Sequence, residues 1–531
     1  MKKLILFFAL SINLVIAQEK APENWFNLDP EENKVFGVST EKAYKELLVG
    51  KKSKTVIVGV IDSGVDYEHE DLKDVMWINE DEIAGNGIDD DKNGYIDDIH
   101  GWNFIGGKNG ENVDKETLEL TRAFASYKKR FDGKDESTIN GKEKKDYKLY
   151  LELKEKFNGK VAETKDQLGQ IAFFKTMIET LLKEAKKQLA TETIDYAALE
   201  KFDPQDNKLK QTTAIFKNAL KSNGGTLNDM MNEIMDGEKR IQDMLEYNMN
   251  TEFDPRKIVG DNYEDASEKN YGNKDCRGPN SLHGTHVAGI IAANRNNNVG
   301  IKGVADNVKI MAIRAVPDGD ERDKDVANAI YYAVDNGAEI INMSFGKSVS
   351  YNKKAVDKAV KYAESKGVLL VHAAGNDALD IDKIIHYPCK KYEGSRKQAS
   401  NWLDVGALSW RSEKNSPAPF SNFGKKTVDV FAPGVDIYST KNGGGYINES
   451  GTSMACPVTA GVAALLKSYF PELSAKEIKE IIKESSRKDL KDKKVILPGS
   501  KDEIAFADLS KTGGVVNAYN AVLLAMKKAK K

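Results

Sequence analysis

The chain has 531 residues, 40% hydrophobic and 30% charged, with a formal net charge of -3. That composition is globular rather than disordered, and the length suffices for one large domain with insertions or for two to three domains. The charge balance excludes the broad basic field that nucleic-acid binding needs, and three cysteines (Cys276, Cys389 and Cys456) are too few for a disulfide framework.

Met1 to Lys3 carry two lysines, Leu4 to Ile16 are mostly apolar, and Val15 and Ala17 are small. This pattern predicts a secretory signal, residues 1–17, cleaved after Ala17. The apolar run is shorter than a bilayer crossing needs, and no cysteine follows to carry a lipid. The expected location is the periplasm or the cell exterior, with no stable membrane insertion after cleavage. A short segment, 18–54, comes next.

Thr55 to Ile61 is β-branched and apolar, as a parallel strand buried on both faces should be. Asp62 ends it, where open α/β sheets place their sites; by itself Asp62 reads equally well as a cap. The acidic stretch Asn86 to Asp98 matches half of an EF-type calcium loop. Asp89, Asp91, Asn93, Tyr95 and Asp97 fall at positions one, three, five, seven and nine, with Gly94 at the turn. His100 stands where the closing glutamate belongs. These hard oxygen donors predict a structural calcium ion, and no organic cofactor is expected.

From 111 to 255 lysine and glutamate dominate and the periodicity becomes helical. Ile171, Phe174, Ile178, Leu181, Leu182, Ala185 and Leu189 form one stripe; Leu227, Met230, Met231, Ile234 and Met235 form another. Asp132-Gly133, Asn158-Gly159, Phe202-Asp203-Pro204 and Asn223-Gly224-Gly225 are expected to break the run into several helices. The segment holds no Cys, His or Trp. It reads as a bundle packed on itself or the core, or as an arm that binds a partner or screens substrates.

Ser281 to Ala293 passes from loop residues into a small-residue helix, with His283 near its start and His286 one turn on. No third ligand accompanies the two histidines, which argues against zinc. Regular alternation follows: strands at 308–316, 338–345 and 367–373, and helices at 323–336 and 353–366, a doubly wound parallel sheet. His372 reads as a core histidine; His69, His100 and His386 stand in turn-like contexts. Further strands are expected at 402–408, 428–431 and 437–439. Gly451-Thr452-Ser453 opens a helix through Leu466, in which Cys456 reads as a small buried residue. A helix follows over 474–485, capped by Ser474 and Glu477, and another closes the chain over 515–526.

Asp62-Ser63-Gly64 after a buried strand, His283 to Gly289 opening a helix, and Gly451 to Pro457 opening a later one resemble, in that order, the three signatures of the subtilisin-like serine proteases, the subtilases. The resemblance covers 55–106 and 261 onward, and leaves the insertion uncovered. It implies a subtilisin-like α/β fold in two parts, 55–110 and 256–531, around the helical insertion 111–255. It also implies a secreted serine endopeptidase acting on protein or peptide substrates through Ser453, His283 and Asp62 and an acyl-enzyme intermediate. Asn376 resembles the side-chain amide that binds the oxyanion. Ser344, Phe345 and Gly346 resemble one wall of the primary specificity pocket, and Ala373, Ala374 and Gly375 the other. Neither wall holds an acidic residue, which argues for apolar or broad preference. Phe345 replaces a common leucine, and Lys347 a usual glycine. Residues 316–319 resemble the edge on which substrate adds as a strand. Many secreted subtilases carry an inhibitory prodomain. Residues 18–54 are too few for one, so either folding is autonomous or the insertion does that work.

Overall fold

The structure, a computed structural model, describes residues 21–411 and 413–529. The predicted signal, 1–17, lies outside them. Among the described residues the chain forms two compact units: Ala21–Glu119 with Asp254 onward, and Leu120–Phe253.

The larger unit is built on a seven-stranded sheet: β1 (Val56–Asp62), β2 (Gly101–Asn103), β3 (Val308–Arg314), β4 (Ile340–Met343), β5 (Leu369–Ala373), β6 (Trp402–Leu408) and β7 (Val430–Pro433). The order is β2-β3-β1-β4-β5-β6-β7 and every pairing is parallel. β1 pairs with β3 from Val56↔Val308 to Asp62↔Arg314, and with β4 from Val58↔Ile340 to Ile61↔Met343. The chain thus leaves β1 toward both sides of the sheet. Asp62 sits at the carboxyl end of this central strand, where doubly wound sheets open a crevice.

The principal helices, in chain order, are α1 (Glu119–Phe131), α2 (Lys144–Leu189), α3 (Tyr196–Lys201), α4 (Asn207–Asn223), α5 (Leu227–Asp243), α6 (Leu282–Ala292), α7 (Asp323–Asp335), α8 (Lys353–Ser365), α9 (Thr452–Tyr469), α10 (Ala475–Ser485) and α11 (Ala518–Lys528). Strand side chains alternate between two cores, as the pleat requires. Val58, Val60, Ile310 and Val371 face one core with α6, α9, α10 and α11. Ile61, Ile313, Ile341 and Leu370 face the other with α7 and α8. The segment preceding β1 belongs to the same unit: Trp25 and Phe26 are fully buried in the first core, and the Trp25 indole N–H donates to the Asp436 carbonyl. The capping box at Ser474 and Glu477 forms as the sequence predicts.

The smaller unit is wholly helical apart from its turns. Three of the four expected breaks separate helices, but Asn158-Gly159 does not: α2 runs through it for 46 residues, about 69 Å at 1.5 Å per residue. A mid-helix glycine costs roughly 1 kcal/mol, and burial at both ends of α2 outweighs it. Tyr150 and Leu153 enter a cluster with Phe124, Phe131 and Ile139. Ile178, Leu181 and Ala185 enter a second with Leu199, Phe216 and Leu227. Within this unit the Thr121 hydroxyl donates to the Asn248 carbonyl at 2.7 Å.

Candidate active site

Asp62 is buried, 1% exposed. Its Oδ1 accepts from the Ser63 N–H and from His283 Nδ1, both at 2.7 Å. A carboxylate can only accept, so Nδ1 carries the ring proton and Nε2 is left as the basic nitrogen. Two glycines let these groups meet. A Cβ on Gly284 would lie 2.1 Å from the Gly64 carbonyl oxygen and 3.0 Å from the Asp62 Cβ, so only glycine lets the start of α6 approach the end of β1. Gly64 itself has φ of +116° and the Arg277 carbonyl against it. The His283 side chain keeps 41% of its surface exposed. Desolvation disfavours its charge, but Asp62, by charge and hydrogen bond, and then Glu449 hold its pKa above the ordinary imidazole value.

Ser453 is the second residue of α9, at a helix start whose first N–H groups have no intrahelical acceptor. The Thr452 N–H and hydroxyl both donate to Asn376 Oδ1 at 2.9 Å, and the Thr452 hydroxyl accepts from the Gly375 N–H at 3.1 Å. The oxygen end of the Asn376 amide is therefore fixed and its NH2 end is left for a ligand. A Cβ on Gly451 would lie 3.5 Å from both Asn376 Nδ2 and the Ser453 nitrogen, so the two donors stand close together. The Ser453 hydroxyl donates to the Ser344 carbonyl at 3.1 Å, and the Ser344 hydroxyl donates to the Ser453 carbonyl at 2.9 Å. A nucleophile–base hydrogen bond commonly forms only when substrate is present.

Asp62, His283, Asn376 and Ser453 line one cavity of about 530 Å³, with Ser344, Phe345, Gly346 and Gly375. Of the expected pocket residues, Ala374 is fully buried among Leu408, Val428 and Phe431, behind the wall rather than on it. The Phe345 ring packs in the second core. Lys347 is buried: its ammonium meets Glu119 and Asp323, each at 2.9 Å, and donates to the Glu321 carbonyl at 2.5 Å. On the expected substrate edge, Asp318 pairs its N–H with the Asp114 carbonyl and its carbonyl with the Glu116 N–H.

The remaining histidines and cysteines sort by their partners. His372 lies in the core, Nδ1 on Asp404 at 3.0 Å and Nε2 on the Phe345 carbonyl at 3.1 Å. His286 is buried, its Nε2 on the Ile437 and Ile447 carbonyls, and burial pushes its pKa down to about 4. Cys456 is fully buried and its thiol donates to the Val371 carbonyl at 3.2 Å, with burial raising its pKa.

The acidic loop brings together a set that overlaps the predicted ligands only in part. Among the described residues, one carboxylate oxygen each from Glu82, Asp91 and Asp98 lie within 4.8 Å of one another. The Asn79 and Asn93 amides each donate to both Asp91 and Asp98. Asp89 instead accepts the Asn93 and Gly94 N–H groups. Asp97 accepts N–H groups of residues 85–87 and the Lys274 ammonium. The three clustered carboxylates fit a hard divalent cation: opposite ligands of calcium at 2.3–2.6 Å stand about 5 Å apart. Glu82 precedes the motif and Asp98 falls at position ten, so loop numbering could not reveal either.

Sequence reasoning also missed His386 and Glu449, which line the cavity with Ser453. Neither belongs to a motif or a recognisable spacing; both reach the site only through tertiary folding.

The model of the subtilase family matches residues 53–500. Over 241 residues the chain is 40% identical to a thermophilic serine proteinase of Bacillus sp. (strain AK1), an overlap of 45% of this chain and 52% of that one. It is 38% identical over 241 residues to thermitase of Thermoactinomyces vulgaris, 45% of this chain and 74% of that one. It is 41% identical over 201 residues to subtilisin DY of Bacillus licheniformis, 37% and 67%. The chain thus spans about half the length of the first of these relatives.

Proposed function

The chain belongs to the subtilase family, and from that premise we propose that it is a secreted serine endopeptidase that hydrolyses peptide bonds through Ser453, His283 and Asp62. The observation that carries the reading is the 2.7 Å bond from His283 Nδ1 to Asp62, two residues that line the same cavity as Ser453 and Asn376.

In this reading the Ser453 hydroxyl turns from the Ser344 carbonyl to His283 Nε2 and attacks the substrate carbonyl carbon. His283 takes the proton and later gives it to the leaving amine. Asp62 holds the ring tautomer and stabilises the charged imidazole. The Ser453 N–H and the Asn376 amide bind the oxyanion, and both are fixed before substrate arrives. Water, activated by the same His283, then releases the acyl-enzyme. Ser453→Ala is expected to abolish cleavage of denatured casein; cleavage persisting in that variant would refute the assignment.

A structural calcium ion is part of the same reading. Glu82, Asp91 and Asp98 would hold it, and it would cross-link the acidic loop without entering the reaction. Secretion rests on the residue 1–17 pattern, and among the described residues no helix is long and apolar enough to cross a membrane. The helical segment is read as a bundle stabilised by its own two cores, with substrate screening as the alternative. If deletion of 120–253 leaves the cleavage of folded and denatured proteins unchanged, screening is excluded.

A further inference from the structure

An imidazole, that of His386, lines the cavity beside Ser453. A Cβ built on Gly346 would lie 2.1 Å from Cε1 of His386 and 2.9 Å from each of its ring nitrogens; one built on Gly375 would lie 2.8 Å from its Nε2. The ring therefore fills the gap between the two segments that wall the cavity, and glycine on both sides makes room for it. Its backbone is held in place. The next residue, Tyr387, exchanges two hydrogen bonds with Lys347: the Lys347 N–H donates to the Tyr387 carbonyl at 2.8 Å, and the Tyr387 N–H donates to the Lys347 carbonyl at 2.9 Å. Lys347 is itself anchored by its buried ion pairs with Glu119 and Asp323. The His372 ring stands behind, with its centroid 5.8 Å from that of His386. Phe345 also lines the cavity but packs in the second core, and the ring set between Gly346 and Gly375 is that of His386. Its Nδ1 is buried without a hydrogen-bond partner. Burial, with the neighbouring His372, pushes its pKa down to about 4, so a charged substrate group gains no ion pair there at neutral pH.

Resting on the active-site reading above, we infer that His386 is the specificity-determining residue of the pocket: it ends the pocket short, so the enzyme selects peptides with alanine, serine or threonine on the acyl side of the scissile bond over phenylalanine, tyrosine or leucine. A side chain longer than the space allows must displace a ring wedged between two backbones. A short one fits, and a hydroxyl can meet the nitrogen-bearing edge. Size discrimination in such pockets runs to roughly 10–200-fold per methylene.

The test is a series of tetrapeptide nitroanilides that differ only at the residue before the scissile bond (alanine, serine, leucine, phenylalanine), assayed on the full-length enzyme and on His386→Ala. The native enzyme is expected to show kcat/KM for alanine at least about tenfold above phenylalanine. His386→Ala should cut that ratio by about tenfold or more, through a gain on phenylalanine rather than a loss on alanine. His386→Phe, which keeps the gap filled, should preserve the alanine preference and serves if the truncation does not fold. Fluorophosphonate labelling reports the intact site in each protein. A native preference for phenylalanine, a labelled His386→Ala with an unchanged ratio, or a labelled His386→Phe that has lost the alanine preference overturns the inference alone. A native protein that neither labels nor cleaves overturns the active-site reading and this inference with it.

Discussion

In the proposed mechanism, replacing Asn376 by alanine removes one preorganised donor from the oxyanion position and leaves the Ser453 N–H. Two bonds of 2.9 Å from Thr452 fix the amide's oxygen end, so its nitrogen is aimed without reorganisation at the moment of reaction. One such donor is worth about 2.7–4 kcal/mol, or about a hundred- to a thousandfold in kcat, a range that comes from subtilisin, a member of this family. The same substitution strips the Thr452 N–H and hydroxyl of their acceptor, which costs roughly 1–3 kcal/mol of stability. Asn376→Asp separates the two effects: it keeps an oxygen for Thr452 and loses the donor, so activity should fall at least as far with a smaller loss of stability. Steady-state kcat and KM on a peptide nitroanilide, with thermal melts of the same preparations, measure both. The loss should lie in kcat. A folded Asn376→Ala enzyme with kcat within about threefold of native, or with the loss confined to KM, would refute the reasoning.

The pH profile tests the base. In the proposed mechanism His283 must be neutral to act; desolvation disfavours its charge, but Asp62 and Glu449 hold its pKa above the ordinary 6.5, so kcat/KM should rise with pH through that raised value. Glu449→Gln removes one of the raising charges and should move the acid limb to lower pH; a limb that stays or moves upward contradicts this. Lys347→Met leaves the buried Glu119 and Asp323 carboxylates without their shared cation and should cost about 3–5 kcal/mol in denaturant unfolding, with Glu119→Gln added to it recovering part of the loss. A single variant as stable as native would show the network to be dispensable. Chelation with EGTA should lower the melting temperature, with about 2.7 kcal/mol of stabilisation recovered at calcium a hundredfold above Kd, and Asp91→Asn should abolish the difference. Equal melting in EGTA and calcium would remove the ion from the account.

The sheet is legible because its strands are buried on both faces and read as largely apolar runs: the central strand at 56–62 is apolar up to Asp62, and the sixth at 402–408 is interrupted only by Asp404 and Gly406. β2, three residues between loops, offers no such run and was not foreseen. Asp62, His283, Ser453 and Asn376 could be found because each stands at an element terminus within a glycine-rich motif. Glycine is required there by backbone approach, as at Gly284, and that requirement marks the sequence. His386 and Glu449 carry no such mark. The ring of His386 reaches the cavity through the pairing of Tyr387 with Lys347, residues forty apart in the chain. Asn158-Gly159 failed as a helix breaker because local propensity is small beside burial at both ends of α2.

The most direct test of the central claim is where a covalent probe attaches. Full-length protein treated with a fluorophosphonate and digested for mass spectrometry should carry one adduct, on Ser453, and none in Ser453→Ala, His283→Ala or heat-unfolded protein. An adduct on another residue, or equal labelling of Ser453→Ala, would contradict the assignment of Ser453 as a nucleophile activated by His283 and Asp62.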